Sequence, residues 1–215
     1  YRDFHFVRRD LRWADREVAV VRPRAVPAQL VGLSHGEGDA TVCAGKEGMR
    51  LMADACAFAA DHPNAVVWLP VRGGDAPFGM EESIERRQWT ARDVVLLHHS
   101  LQLPASAWRE LRQRAGHGRL SRKSVREISA SDRYPGRGLS RCTIQYHSET
   151  MLLVGDRVIY EELSARFRSL ADATRTGDHD HLFSWIRGGG TDQSEDITLT
   201  YLEPTDWASR TGARD

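Results

Sequence analysis

The chain has 215 residues, of which 40% are hydrophobic and 28% charged, with 30 basic residues balancing 30 acidic ones. That length and apolar content suffice to bury a core without a disulfide or metal staple, and they exclude full disorder. The longest apolar runs, at 94–97 and 151–154, are far too short for a membrane-spanning helix, so no membrane partner is expected.

In chain order, the first clear helix is expected over 45–61. Met49, Met52, Ala53, Cys56, Ala59 and Ala60 recur there at helical spacing, and Pro63 stops it. Residues 65–69 read as a buried strand, 71–79 as loop, and 80–90 as a short helix with Ile84 as its apolar anchor. A strand at 93–98 leads to a helix opened by Pro104, with Trp108, Leu111 and Ala115 on one side. Residues 116–138 show no periodicity and carry four glycines and Pro135, the pattern of a basic connector. Beyond it, 141–148 and 151–154 read as strands, and Gly155-Asp156 as the N-terminal cap of a helix over 157–172. That helix turns Tyr160, Leu163, Phe167, Leu170 and Ala171 inward. Strands at 179–185 and 194–202, separated by Gly188-Gly189-Gly190, precede a polar tail. The fold class is therefore α+β with two mixed α/β units: 1–115, a connector at 116–138, and 139–203, with a tail at 204–215. The second unit is expected as a mostly antiparallel β-β-α-β-β sheet over one packed helix.

Charge is unevenly spread. Residues 1–104 hold 13 basic and 14 acidic side chains, 105–148 hold 10 and 3, and 149–215 hold 7 and 13. All basic residues but Lys46 and Lys123 are Arg, a bias that GC-rich codons produce, which points to an actinobacterial-type bacterial source. Cys43, Cys56 and Cys142 are widely spaced and form no CxxC, as suits a reducing cytoplasm. The chain opens on Tyr1 without a signal-peptide pattern or a start methionine, so a fragment or processed chain is expected.

Catalytic motifs are not legible. A phosphate loop ending at Gly45-Lys46 fails at Ala40 and Glu47, and no GxSxG or HExxH occurs. No cofactor and no catalytic residue are assigned. His179 and His181, two apart on a strand, share a face, and His147 is the one further candidate ligand. They read as a solvated strand face rather than a metal site. His98 and His99, adjacent on a strand, are expected to point to opposite faces.

The segments Met151-Leu-Leu-Val-Gly-Asp156, Gly177-Asp-His-Asp-His-Leu182 and Ser194-Glu-Asp-Ile-Thr-Leu199 resemble a bacterial immunity family, number thirty-two among immunity proteins of polymorphic toxin systems. Three glycines and Trp185-Ile-Arg187 interrupt that pattern. Residues 94–118 resemble a small actinobacterial domain encoded beside helix-turn-helix regulators. The segment Phe6-x-Arg8-Arg9-Asp10-Leu11-Arg12 also resembles the opening of photolyases, whose flavin-binding domain does not fit in the remaining chain.

Two functions are expected. The immunity resemblance implies a non-enzymatic module that masks a protein partner, a toxin or a regulator, by charge complementarity. Asp178, Asp180, Glu195 and Asp196 would form its acidic surface. The alternative is a nucleic-acid-associated protein using the Arg-rich segment 109–141, with Arg119, Arg122, Lys123 and Arg126 on phosphates.

Overall fold

A computed structural model describes residues 1–35, 39–77, 89–128, 143–173, 175–181 and 196–208. The α+β class holds. Strands β1 (Arg2–Trp13), β2 (Arg16–Pro23), β3 (Leu30–His35) and β4 (Asp39–Ala44) come first, before helix α1 (Lys46–Asp61). They are followed by β5 (Ala65–Leu69), β6 (Ala76–Pro77), β7 (Thr90–His98), α2 (Ala105–Arg114) and β8 (Arg119–Val125). Then come β9 (Thr143–His147), β10 (Thr150–Gly155), α3 (Arg157–Ala171), β11 (His179–His181), β12 (Asp196–Tyr201) and β13 (Trp207–Ala208).

All strands but β6 and β13 join one sheet, β11-β12-β4-β3-β7-β5-β2-β1-β8, with β10 and β9 branching from β7. Helices α1 and α3 lie side by side on one face, and their inward residues, including Met49, Met52, Phe58, Tyr160, Leu163 and Phe167, make the main core. Helix α2 covers the other face, where Trp108 and Leu111 meet Val18, Val66, Val95 and Leu152.

The sheet is built from two β-β-α-β-β runs that complete each other. The first is β3-β4-α1-β5-β7 and the second β9-β10-α3-β11-β12. An offset of 111 residues carries Asp39–Ala44 onto Thr150–Gly155 and the start of α1 at Lys46 onto the start of α3 at Arg157. In each run strands one and two pair antiparallel, as do strands three and four. Strand two, however, takes its parallel partner from the other run. Asp39–Ala44 pairs with Asp196–Tyr201, and Thr150–Gly155 pairs with Asp93–His98 in the equivalent register. Where the two helices cross, the Ser164 hydroxyl donates to the carbonyl of its counterpart Ala53 at 2.8 Å.

Segments 1–115 and 139–203 thus share one sheet, joined by two parallel seams. The element order expected for the second segment is present, but its two hairpins pair with the first segment. Two further expectations are corrected. Arg119–Val125, placed in the connector, is a strand along β1. The beginning of the tail is ordered: Glu203 and Asp206 form a capping box, and Trp207 packs on Val31, Leu33 and Cys43. The expected helix at 80–90 lies almost wholly outside the described residues, and the Gly188–Gly190 loop and 129–142 lie wholly outside them.

Side chains lock these joints. Asp156 caps α3 by accepting from the Ile159 amide at 3.0 Å. One turn on, the buried Tyr160 hydroxyl sits 2.7 Å from the Leu97 amide and from the carbonyls of Leu97 and Leu153, straddling the β7–β10 seam. It accepts from the amide and donates to a carbonyl. Gly32 marks the β3–β7 junction, since a Cβ there would approach Val94 Cγ2 to 2.7 Å and the Arg92 carbonyl to 3.1 Å.

Tyr160→Phe keeps the ring but leaves the Leu97 amide unpaired in a dry seam. Urea denaturation should show a loss of about 1–3 kcal/mol. Because β10 and β12 take their parallel partners from the first run, residues 139–215 expressed alone should give no cooperative thermal transition, and co-expression with 1–128 should restore one.

Candidate interaction surface

Helix α2 covers the middle of its face and meets β1 at its Leu11–Trp13 end, leaving the start of β1 uncovered by it. Along β1, Phe4 and Phe6 point to α1, packing on Phe58 at 5.5 and 5.0 Å between ring centroids. With a period of two, Asp3, His5, Val7 and Arg9 therefore point to the α2 side. Register sets Val7 opposite Arg22 on β2 and Leu120 on β8, and His5 opposite Arg122. Val21 pairs with Val67, so Arg22 stands beside Trp68, its guanidinium 5.7 Å from the ring centroid. A row Leu120–Val7–Arg22–Trp68 thus crosses four strands, with basic groups on both sides of it. Arg24, whose amide donates to the His5 carbonyl at 3.0 Å, extends the basic group at the end of β2.

This surface carries Arg9, Arg22, Arg24 and Arg122 against one carboxylate, Asp3. The carboxylate accepts from Ser124 Oγ at 3.1 Å and meets Arg122 at 3.5 Å. Leu120 is 55% exposed in the midst of it. Trp68 is held in place from below, since its Nε1 donates to the buried Asp93 at 3.2 Å and its ring meets Trp108 edge-on at 5.6 Å. Asp93 in turn accepts from the Arg72 amide at 3.2 Å and has Arg112 at 3.9 Å. The apolar platform is therefore rigid, while the arginines reach solvent.

Of the four basic residues singled out in the sequence, Arg122 lies on this surface. Arg119 and Lys123 point to the opposite side of β8, beside Arg8 and Phe4. Arg126 forms an ion pair with Glu161 on α3. The residues the sequence did not single out are His5, Arg9, Arg22 and Arg24. The alternation in β1 and β2 was their available signal, but it needed the register to become a surface.

The acidic candidates are not assembled among the described residues. Asp180 is engaged by the buried Arg166 at 2.5 Å, and Arg166 also meets Glu162 at 2.8 Å. Asp178 accepts the Tyr201 amide through its carbonyl at 2.8 Å and so extends the β11–β12 pairing by one residue. Glu195 lies outside the described residues, and Asp196 is described only through its backbone pairing with Asp39.

The histidine candidates are separated. His179 and His181 share β11, with the side chain of His181 outside the described residues. His147 lies on β9, with β12, β4, β3, β7 and β10 in between. Among the described residues no group of three His, Cys, Asp or Glu is placed to hold a metal. Burial pushes the Cys43 thiol up to about 12, which keeps it protonated and unreactive.

The expectation for His98 and His99 is corrected. The strand ends at His98 and a 3-10 turn begins at His99, so the two rings stack at 4.8 Å and 26° instead of facing apart. His98 Nδ1 accepts the Ser100 amide at 3.3 Å and meets Ser100 Oγ at 2.7 Å, which caps the turn. Comparison with protein-family models, with curated proteins and with solved structures finds no match.

Burial, reinforced by the neighbouring His99 and opposed by Asp156, lowers the His98 pKa below its ordinary 6.5. The neutral ring is thus favoured in the folded chain. Its contribution to stability is present above pH 6.5 and is lost as pH falls through the lowered folded value. His98→Gln should flatten the decline in melting temperature below pH 6.5 relative to the parent, and parallel curves would refute this.

Proposed function

We propose that this protein is a non-enzymatic binding module whose partner is a nucleic acid, held on the β2–β1–β8 surface. The observation that carries the reading is the cross-strand row Leu120–Val7–Arg22–Trp68 set among Arg9, Arg24, Arg122 and His5. Arginines on an exposed sheet face match a phosphate backbone, and apolar groups between them give bases a surface to lie on. The row has one arginine stacked on an indole and two aliphatic side chains, so it favours an unpaired strand, whose bases are free to turn toward it, over a duplex.

A protein partner is the second reading. It is favoured by β8, the last strand in its direction along the sheet, whose outer edge has no neighbouring strand among the described residues and could take an added one. Arg119, Leu120, Arg122 and Lys123 on that edge would suit an extended acidic segment. The immunity-type role through Asp178, Asp180, Glu195 and Asp196 has less support, because Asp180 is already bound to Arg166.

Fluorescence anisotropy with a labelled single strand should show binding that weakens steeply between about 50 and 200 mM salt. The double variant Arg22→Glu, Arg122→Glu should lower affinity at least tenfold. Arg119→Glu on the opposite side of the ribbon should cost much less. If the single strand fails to bind at low salt while an acidic peptide binds and is lost on Ser121→Pro, the second reading stands in its place.

A further inference from the structure

On the other side of the same hairpin lies a cleft of about 760 Å3. It exists because β1 outruns the helix that covers it. Phe4 and Phe6 pack on Phe58 near the end of α1, and Arg8, Asp10 and Arg12 continue the same face past the helix terminus at Asp61. The volume falls within the roughly 300–1,000 Å3 of small-molecule sites.

The lining contains three kinds of chemistry. Ala19 and Ala65, paired across β2 and β5, leave a flat floor of small side chains. Phe58 and His62 form one wall, with their rings stacked at 4.0 Å and 7°. His62 Nδ1 lies 2.8 Å from the Phe58 carbonyl, which can only accept, so Nδ1 carries the proton and Nε2 of the neutral ring is left as an acceptor. The other wall is the tip of the hairpin. There Arg8 is oriented by Asp10, with Nε at 2.8 Å and Nη2 at 2.7 Å from the same carboxylate oxygen. Arg12 and Glu17 are directly opposite in register, where opposite charges ordinarily pair. Neither is in an ion pair among the described residues.

A cleft with a ring wall, a free guanidinium and a free carboxylate suits a ligand with a flat ring, an anionic group and hydroxyl donors. We propose that it binds a nucleoside monophosphate. The base would stack against the His62 wall over the alanine floor, the phosphate would meet Arg12, with Arg8 held by Asp10 further along the strand, and Glu17 would accept from the ribose hydroxyls. Arg–phosphate pairs are strong charge-assisted contacts, and a carboxylate accepting from ribose hydroxyls is a recurrent mode of nucleotide recognition. This site is on the opposite face of β1 from the proposed nucleic-acid surface and does not depend on it.

Isothermal titration calorimetry with AMP, GMP, CMP and UMP up to about 1 mM should give one-to-one binding for at least one of them. Arg12→Gln, on an exposed hairpin where folding is not at risk, should weaken it about tenfold or more. His62→Ala should do the same, with circular dichroism verifying the fold. Glu17→Gln should narrow the preference for the ribonucleotide over its 2′,3′-dideoxy analogue. Arg22→Glu with Arg122→Glu should leave this binding unchanged, which separates it from the surface on the other face. The proposal is overturned if no monophosphate binds, if inorganic phosphate binds as tightly as the nucleotide, or if Arg12→Gln and His62→Ala both bind like the parent.

Discussion

The packing of α1 against α3 is the contact on which the rest of the architecture depends. Each helix follows the second strand of its run, and each second strand is completed by the last strand of the other run. Parallel neighbours cannot be joined by a tight turn, so a β-β-α-β-β run must route its chain over a helix. Here both routes cross the same face, and the two helices bury each other's inward stripes. Small side chains let them approach, with Ala53 and Ser164 meeting at the crossing. Loosening that contact would weaken the β7–β10 seam, because Tyr160, seated through it, holds that seam directly. Most strand pairings join residues far apart in the chain, a topology that slows folding.

The near-symmetry also shows which parts are additions. Strands β1, β2 and β8 have no counterpart in the second run among the described residues. They extend the sheet past β5, on the flank where β5 would otherwise end it. Helix α2 is a second addition, covering the face opposite α1 and α3. Both the basic surface and the cleft lie on the β1–β2 hairpin, one on each of its faces. A scaffold stabilised by its two interlocked halves can carry an added ribbon rich in exposed arginine. The ribbon's buried residues are Phe4, Phe6, Val18, Ala19, Val20, Val21, Pro23 and Val125.

Elements with one dominant signal were legible in the sequence. Helix α3 has both an inward stripe and a capping Asp, and its observed bounds lie within a residue of those expected. The 65–69 strand is a short apolar run bounded by turn residues, and it appears as expected. Strand β8 was hidden because Val125 alone among its residues is buried, and five of its other six are exposed, so an edge strand of Arg, Ser and Lys has no hydrophobic pattern to read. Strand β1 changes character midway, from Phe4 and Phe6 under α1 to charged residues beyond its end. The exchange of last strands was not readable at all, since each hairpin's local pattern would look the same with either partner. The surface was partly legible: Arg122 was visible within its basic stretch, while Arg9, Arg22 and His5 joined it only through the register of three strands.

The linear charge excess illustrates why. Residues 105–148 hold ten basic side chains against three acidic, yet much of that excess is answered from elsewhere in the chain. Arg112 lies by Asp93, Arg122 by Asp3 and Arg126 by Glu161, while Arg114 pairs with Glu110 within the stretch. The solvent-exposed pairs among them, Arg122–Asp3 and Arg114–Glu110, contribute little to stability, but they reduce the field that a partner would feel at a distance. The positive potential that survives is set by which arginines share a face with few carboxylates, and those come mainly from a first segment whose own balance is near neutral. Among the described residues, the effective basic region thus lies at the start of the sequence more than in its middle. A phosphate backbone approaching the molecule would meet Arg9, Arg22 and Arg24 on one continuous sheet face, with Arg122 as the single member drawn from the segment that the charge count had marked.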